Sequence, residues 1–389
     1  MKRLNFTRAA LAMTVALLPG FAFADIAADI QHPLWYKAPS DKTMELAKLD
    51  NLEGVVVSDG QDGAKGFPAA DLKLTDEQIA KVKAGNFTVA ISMGWMGDDW
   101  ASQQLIGLKE TFAAMGIKVV AETNANWDDA KQIADLDTIS VLKPSLLVSI
   151  PLNGQTTASA YQKIAAAGTK VVFIDQAVDG MSAGKEYSSI ISSDNLKLGM
   201  YLADELADAL HGKGNVGVMY YANDFYVVNR RYEGFIARMT AKYPDLHVVA
   251  AVGHNNPNKG QEVADGLLAR YPTLDGLYAS WSIPAMGAVT SATVAGRTPD
   301  NFKIVNENFD QIVALNMAQN SFIAGISSQR PYDQGVAEAK TGVLALLGEP
   351  TPPYIVVPPL KVERSNLAAS YKAIYRVDMP AEMVSALAN

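Results

Sequence analysis

The sequence predicts an α/β protein built as two doubly wound, parallel-sheet lobes joined by a hinge. From Phe87 onward, short β-branched runs alternate with amphipathic helical stretches, the rhythm of βα units on a parallel sheet. Two such sets follow one another. The length of 389 residues is enough for about two domains at ~150 residues each, and 49% hydrophobic against 19% charged residues is the balance of a chain that folds around cores.

The chain opens with Lys2, Arg3 and Arg8 before an apolar run at 9–18, which Pro19 and Gly20 break ahead of Ala22 and Ala24. Small residues at those two positions are what a signal peptidase reads, so residues 1–24 are expected to be a cleaved export signal. The apolar run is about half of the ~20 residues needed to cross a bilayer. Its removal takes away three basic residues and no acid, which moves the net charge from -8 to -11. An acidic chain of this kind carries no basic surface for nucleic acid. With no cysteine, it has no disulfide, thiolate metal site, cysteine nucleophile or lipid-modified cysteine, and four histidines leave little for a metal cluster. Neither a cofactor nor a metal is expected, and the expected compartment is the bacterial periplasm.

Residues 25–86 are irregular, with His32, Pro33, Trp35 and Tyr36 near the start and a short capped helix at 75–83. They are expected to form an extension that packs on the first lobe. The first set of strands is expected at 88–93, 118–123, 145–150, 170–175 and 189–192. The second is expected at 215–220, 247–253, 276–279, 303–306 and 323–327, with a last strand at 354–357. A helix at 102–115 places Leu105, Leu108, Phe112 and Met115 on one face. Gly116, Gly168 and Gly212 each follow a helical run, where a left-handed cap is wanted. The first lobe is expected to take 87–194 and about 330–356, and the second 195–329 and about 357–389 with the tail.

Ligands of open parallel sheets bind outside the carboxyl ends of the strands, so the loops there hold the candidate contacts. Those loops contain Trp95, Asp98, Trp100, Trp127, Asp175, Gln176, Asn229, Asn255, Trp281, Asn308 and Gln329. Indole faces cover the C–H side of a sugar ring or polyol, and planar amides and carboxylates serve several hydroxyls at once. A competing reading takes the Asn and Asp residues as turn and cap formers and each Trp as core. Asp98 and Asp99, or Asp175 with either, also admit a glycosidase or lyase carboxylate pair. A Ser-His-Asp triad is poorly served, because no Gly-x-Ser-x-Gly elbow occurs. Gly212-Lys213-Gly214 follows a helix and lacks a phosphate loop's ending, so it reads as a helix stop.

The order of these signals resembles the type I periplasmic solute-binding proteins of ABC sugar transporters, the ribose-binding-protein-like family. The similarity covers about residues 87–357. Its landmarks are TVAIS at 88–92 followed by Trp100, KPS at 143–145 with PLN at 151–153, VVFID at 171–175, and ISSDN at 191–195 with Gly199. NRRYEGF at 229–235, LDGLY at 274–278 and QRPY at 329–332 complete the order. The resemblance implies a Venus-flytrap binding protein, not an enzyme, that captures a neutral sugar or sugar alcohol and delivers it to an inner-membrane ABC permease. It also implies a monomer and is compatible with docking on a membrane chemoreceptor. Trp100 resembles the family's aromatic clamp, Asp98 and Asp175 its first-lobe polar contacts, and Asn229, Asn255, Trp281 and Asn308 its second-lobe contacts, with Gln329 near the hinge. Arg231 matches the family's structural arginine and is kept as a candidate contact, as are Trp95 and Gln176. Gln176 and Asn229 stand where sugar binders of the family often carry arginine, and Asn308 where they often carry aspartate. The sugar-responsive repressors share this core but open on a helix-turn-helix, where this chain has an export signal.

Overall fold

The computed structural model describes Ile30 and residues 32–388, so the expected export signal lies outside the described residues. Among them, thirteen strands form two sheets. Strands β1 (Phe67–Pro68), β2 (Thr88–Met93), β3 (Lys118–Asn124), β4 (Leu146–Ser149), β5 (Lys170–Ile174) and β6 (Ser189–Ser193) belong to the first. Strands β7 (Gly214–Tyr221), β8 (Leu246–His254), β9 (Gly276–Ala279), β10 (Lys303–Glu307) and β11 (Ile323–Ser328) belong to the second. The chain then returns once to each sheet, with β12 (Tyr354–Val357) in the first and β13 (Leu360–Val362) in the second.

The first sheet has the order β1-β12-β6-β5-β4-β2-β3 and every pairing is parallel. The second has the order β13-β11-β10-β9-β7-β8, parallel except where β13 runs antiparallel along β11. Strands β4, β6, β9 and β12 are buried along their whole length, because helices cover both faces of a parallel sheet. In each sheet the winding reverses at one strand: β2 lies between β3 and β4, and β7 between β8 and β9. These reversals place a crevice at the carboxyl ends of those strands.

The eleven strands expected from the sequence are all present, with ends that agree to within a residue or so. Two short edge strands, β1 and β13, are additional. Two or three residues are too few to show alternation, and Pro68 is tolerated in β1 because an edge strand leaves one side unpaired. The first long helix spans Asp99–Ala114 and starts earlier than expected, because the Asp98 side chain accepts from Ala101 N and caps it. Gly116, Gly168 and Gly212 have φ of 70°, 97° and 75°.

Residues 25–86 were expected on the first lobe, and the described part of this segment instead spans both. His32, Trp35 and Tyr36 ring the Tyr232 side chain at centroid distances of 6.0, 5.6 and 5.3 Å. The helix Asp41–Ala47 lies along Tyr226–Lys242, with Thr43 Oγ1 donating to Glu233 Oε1 at 2.9 Å and Arg238 Nη1 to Ala47 O at 2.8 Å. The segment then crosses at the hinge: Val57 N and Ser58 N donate to Asp194 at 2.9 and 3.0 Å. It continues as β1 beside β12, and the helix Asp76–Ala84 packs against Pro331–Leu346 on the first lobe.

Candidate ligand-binding site

Between the lobes lies a cavity of about 270 Å³, walled by the loops after β2, β3, β8, β9 and β10. The first lobe contributes Trp95, Met96, Gly97 and Asp98 after β2 and Asn126 and Trp127 after β3. The second contributes Pro257 and Asn258, then Trp281, Ser282 and Ile283, then Asn308 and Asp310. This is the carboxyl-end crevice that the winding of both sheets creates. A larger groove of about 740 Å³ sits at the opposite, amino ends of β9, β10 and β11 and lacks that relation to the strands.

Three indoles dominate the wall. Trp95 stacks on Trp127 at 4.3 Å with planes 9° apart, and on its other side on the buried Trp100 at 5.2 Å and 20°. Trp281 faces Trp127 across the cleft at 5.8 Å and 37°. Trp127, Trp281 and Asn308 hold φ of 64°, 68° and 74°, a left-handed backbone that is uncommon for such residues and cost-bearing for a tryptophan. Strain of that kind is retained where the surroundings impose it, and here it aims three side chains into one cavity.

The polar members are tied into the frame. Asp98 accepts from Ala101 N at 2.9 Å and from Trp95 Nε1 at 3.1 Å. Gln329, at the crossing after β11, accepts from Trp100 Nε1 at 3.0 Å and donates to Asn308 Oδ1 at 2.9 Å, so one amide links the two lobes beneath the cavity floor. Asp99 reaches the second lobe, accepting from Gln311 N at 2.9 Å and Tyr375 Oη at 2.7 Å. Burial raises the Asp98 carboxyl above its ordinary range. Asp310, 9% exposed, is pushed up to about 7 by burial, with Asp98 and Asp99 adding to the effect. His254 lies behind Trp281, bonded to Ser280 at 2.8 Å, and burial lowers it to about 4, so it is neutral.

Four of the eleven sequence candidates, Trp95, Asp98, Trp281 and Asn308, therefore meet at the cavity, and Trp100 and Gln329 support it from below. The other five lie elsewhere. Asp175 is buried and accepts from Ser192 Oγ at 2.8 Å and Gln334 Nε2 at 3.0 Å, so its hydrogen bonds are spent inside the protein. Gln176 donates to Pro151 O at 2.9 Å and accepts from Tyr226 N at 3.3 Å, joining the lobes. Asn229 donates to Asp224 at 2.5 Å. Arg231 donates to Asn195 Oδ1 at 2.8 Å and pairs with the buried Glu307. Asn255 is exposed beyond the rim. Trp127, noted among the strand-end tryptophans but matched to no contact of the family, also lines the cavity, and Asp310 was not singled out although its position directly after β10 was the available signal.

Asp310 gives a pH-dependent result. An acid whose folded pKa, about 7, exceeds its ordinary 3.8 holds a proton in the folded state that the unfolded chain has lost. Its contribution to stability therefore falls as pH rises between these values and is constant above them, with a slope of up to ~1.4 kcal/mol per pH unit. Asp310→Asn is expected to be more stable than the parent above about pH 7, with the difference vanishing toward about pH 4. Urea denaturation across that range checks it; parallel curves for the two proteins would count against the burial argument.

Residues 89–350 match the family model described as periplasmic binding protein domain. The D-ribose/D-allose-binding protein of Pseudomonas aeruginosa is 27% identical over 225 residues, 57% of this chain and 69% of that protein. The ribose import binding protein of Bacillus subtilis is 24% identical over 212 residues, 54% of this chain and 67% of that protein. Among solved structures, a carbohydrate transporter solute binding protein from Agrobacterium radiobacter in complex with D-arabinose superposes with a TM-score of 0.67 at 23% identity, covering 75% of this chain and 99% of that one. An ABC transporter solute binding protein from Agrobacterium vitis bound with α-D-tagatopyranose gives a TM-score of 0.68 at 23% identity, covering 76% and 100%. At that identity the likeness shows the two-lobe fold.

Proposed function

The chain belongs to the family of the periplasmic binding protein domain, and from that premise we propose that it captures a sugar or sugar alcohol of monosaccharide size between its lobes and delivers it to an inner-membrane ABC permease. The observation that carries this reading is the cavity of about 270 Å³, whose wall combines indole faces with carboxylate and amide groups from both lobes. A ligand there touches the second lobe only when the lobes are together, so it shifts the population toward the closed form that a permease can recognise. Trp95, Asp98, Trp127, Trp281, Asn308 and Asp310 are the contacts in this reading. The ligands named for the Pseudomonas and Agrobacterium relatives are of this chemical class. The finer expectations of a cleaved export signal, a monomer, and docking on a chemoreceptor as well as the permease belong to the same proposal.

A thermal-shift screen of the mature chain against pentoses, hexoses, tetritols, pentitols and hexitols tests it. Ligand at ~100 times its dissociation constant stabilises the folded state by about 2.7 kcal/mol, so a selective rise in melting temperature is expected for one or two compounds. A flat response across the panel would rule the reading out.

A further inference from the structure

The charge of the cavity is one-sided. Among the described residues, Asp98 and Asp310 line it, and no lysine, arginine or histidine does. Each arginine near the cleft is committed elsewhere: Arg230 pairs with Glu233, Arg231 with Glu307, and Arg330 with Asp333 at 2.5 Å. Asp310 lines the cavity although its residue is only 9% exposed, and its Oδ1 has no hydrogen-bond partner among the described residues. Burial favours the neutral form of Asp310, and a cationic donor held in the cavity favours the carboxylate instead. The indoles of Trp95, Trp127 and Trp281 enclose the same space and present π faces, which attract a cation and not an anion.

Building on the sugar reading above, we propose that the ligand of this cavity carries a protonated amine, as an amino sugar or amino polyol does, with the ammonium donating to Asp310 and its positive charge shared with Asp98 and the indole faces. The ring or polyol hydroxyls then meet Asn308 and the spare lone pairs of the Asp98 carboxylate, each oxygen of which already accepts one bond from the protein, and the C–H faces meet Trp127 and Trp281. A sugar acid places like charges together and is excluded by the same wall.

The test uses matched compounds on the mature protein by isothermal titration at neutral pH: D-glucosamine with D-glucose and D-glucuronate, D-galactosamine with D-galactose and D-galacturonate, and N-methyl-D-glucamine with D-glucitol. The amine of at least one set is expected to bind about tenfold or more tighter than its neutral twin, the value of one hydrogen bond to a charged group. Asp310→Asn, which removes the charge and keeps the shape, is expected to erase that preference by weakening the amine about tenfold more than its neutral twin, with the melting curve showing that the variant is folded. Equal or tighter binding of the neutral twin overturns the amine assignment and leaves the sugar reading standing. Tightest binding of the uronate overturns it as well, and an unaltered preference in Asp310→Asn removes Asp310 from the role. Silence from every compound overturns the amine assignment, and the sugar reading falls with it only when the broader thermal-shift panel is flat as well.

Discussion

Replacing Arg231 by alanine lowers the unfolding free energy by about 3–5 kcal/mol. The guanidinium is 2% exposed and its partner Glu307 is 0% exposed, so neither has water to fall back on. Glu307 also accepts from Tyr278 Oη at 2.6 Å, and Arg231 Nε donates to Asn195 Oδ1 at 2.8 Å. The same chain of bonds runs on through Asn195 Nδ2 to Ser192 Oγ at 2.8 Å and from Ser192 to Asp175 at 2.8 Å. It thus passes from the second lobe through the hinge into the first. Truncating the arginine strands Glu307 in a low-dielectric interior and takes away the positive charge that opposes the upward shift burial imposes on Asp175. Urea denaturation at neutral pH reads the loss. Arg231→Met combined with Glu307→Leu removes both charges and is expected to recover most of it, because the cost lies in the orphaned carboxylate. A single-variant loss below ~1 kcal/mol would mean that water reaches the pair.

Gly199→Ala is expected to destabilise at or above the upper end of the ~1–3 kcal/mol usual for overpacking. A Cβ at Gly199 would stand 1.9 Å from Arg231 O, and one at Gly234 would stand 2.1 Å from Leu196 O. The helices Asn195–Ala209 and Tyr226–Lys242 therefore cross with each glycine against the other's backbone, and a backbone oxygen cannot turn aside as a side chain can. Parting the helices also pulls on Arg231, which sits at the crossing. Gly266→Ala is the internal contrast: it lies in the helix Gly260–Arg270 with nothing within 4 Å of the added carbon, so it is expected to stabilise by roughly 0.5–1 kcal/mol. Thermal melts of the two variants side by side check both signs. A Gly199→Ala protein as stable as the parent would contradict the close crossing.

The lobes and their strands were legible because a buried parallel strand such as VVFI at 171–174 and an amphipathic helix such as that carrying Leu105, Leu108 and Phe112 impose different periods on the sequence. The edge strands β1 and β13 were not, since two and three residues carry no period. At the site, the rule about strand ends found Trp95, Asp98, Trp281 and Asn308 without knowledge of any partner. It failed for Asp175 because residue type does not say whether a charge will face a ligand or a protein group, whereas Arg231, matched by resemblance to a structural arginine, is bonded inside the protein as that match implies. Ser192 and Gln334, far apart in the chain, claim Asp175 only once the sheet is assembled. Asp310 stood where a helix cap is expected, but its side chain makes no cap bond and faces the cavity instead. The course of residues 32–58 over the second lobe depends on which helix face is left apolar, and that is a property of the folded surface.

The amino-terminal segment changes the mechanics of the cleft. Asp194 caps the helix Asn195–Ala209 and also grips Val57 N and Ser58 N, so a single carboxylate anchors the extra chain to the pivot. The segment then runs as β1 along one edge of the first sheet, whereas β3, whose loop bears Trp127, forms the other edge. The lobes are thus buckled along one margin and meet along the opposite one only through side chains such as Trp127 and Trp281, like the covers of a book with a reinforced spine. A rotation too small to stretch the spine still moves the tryptophan-bearing margin through an arc set by the width of the sheet.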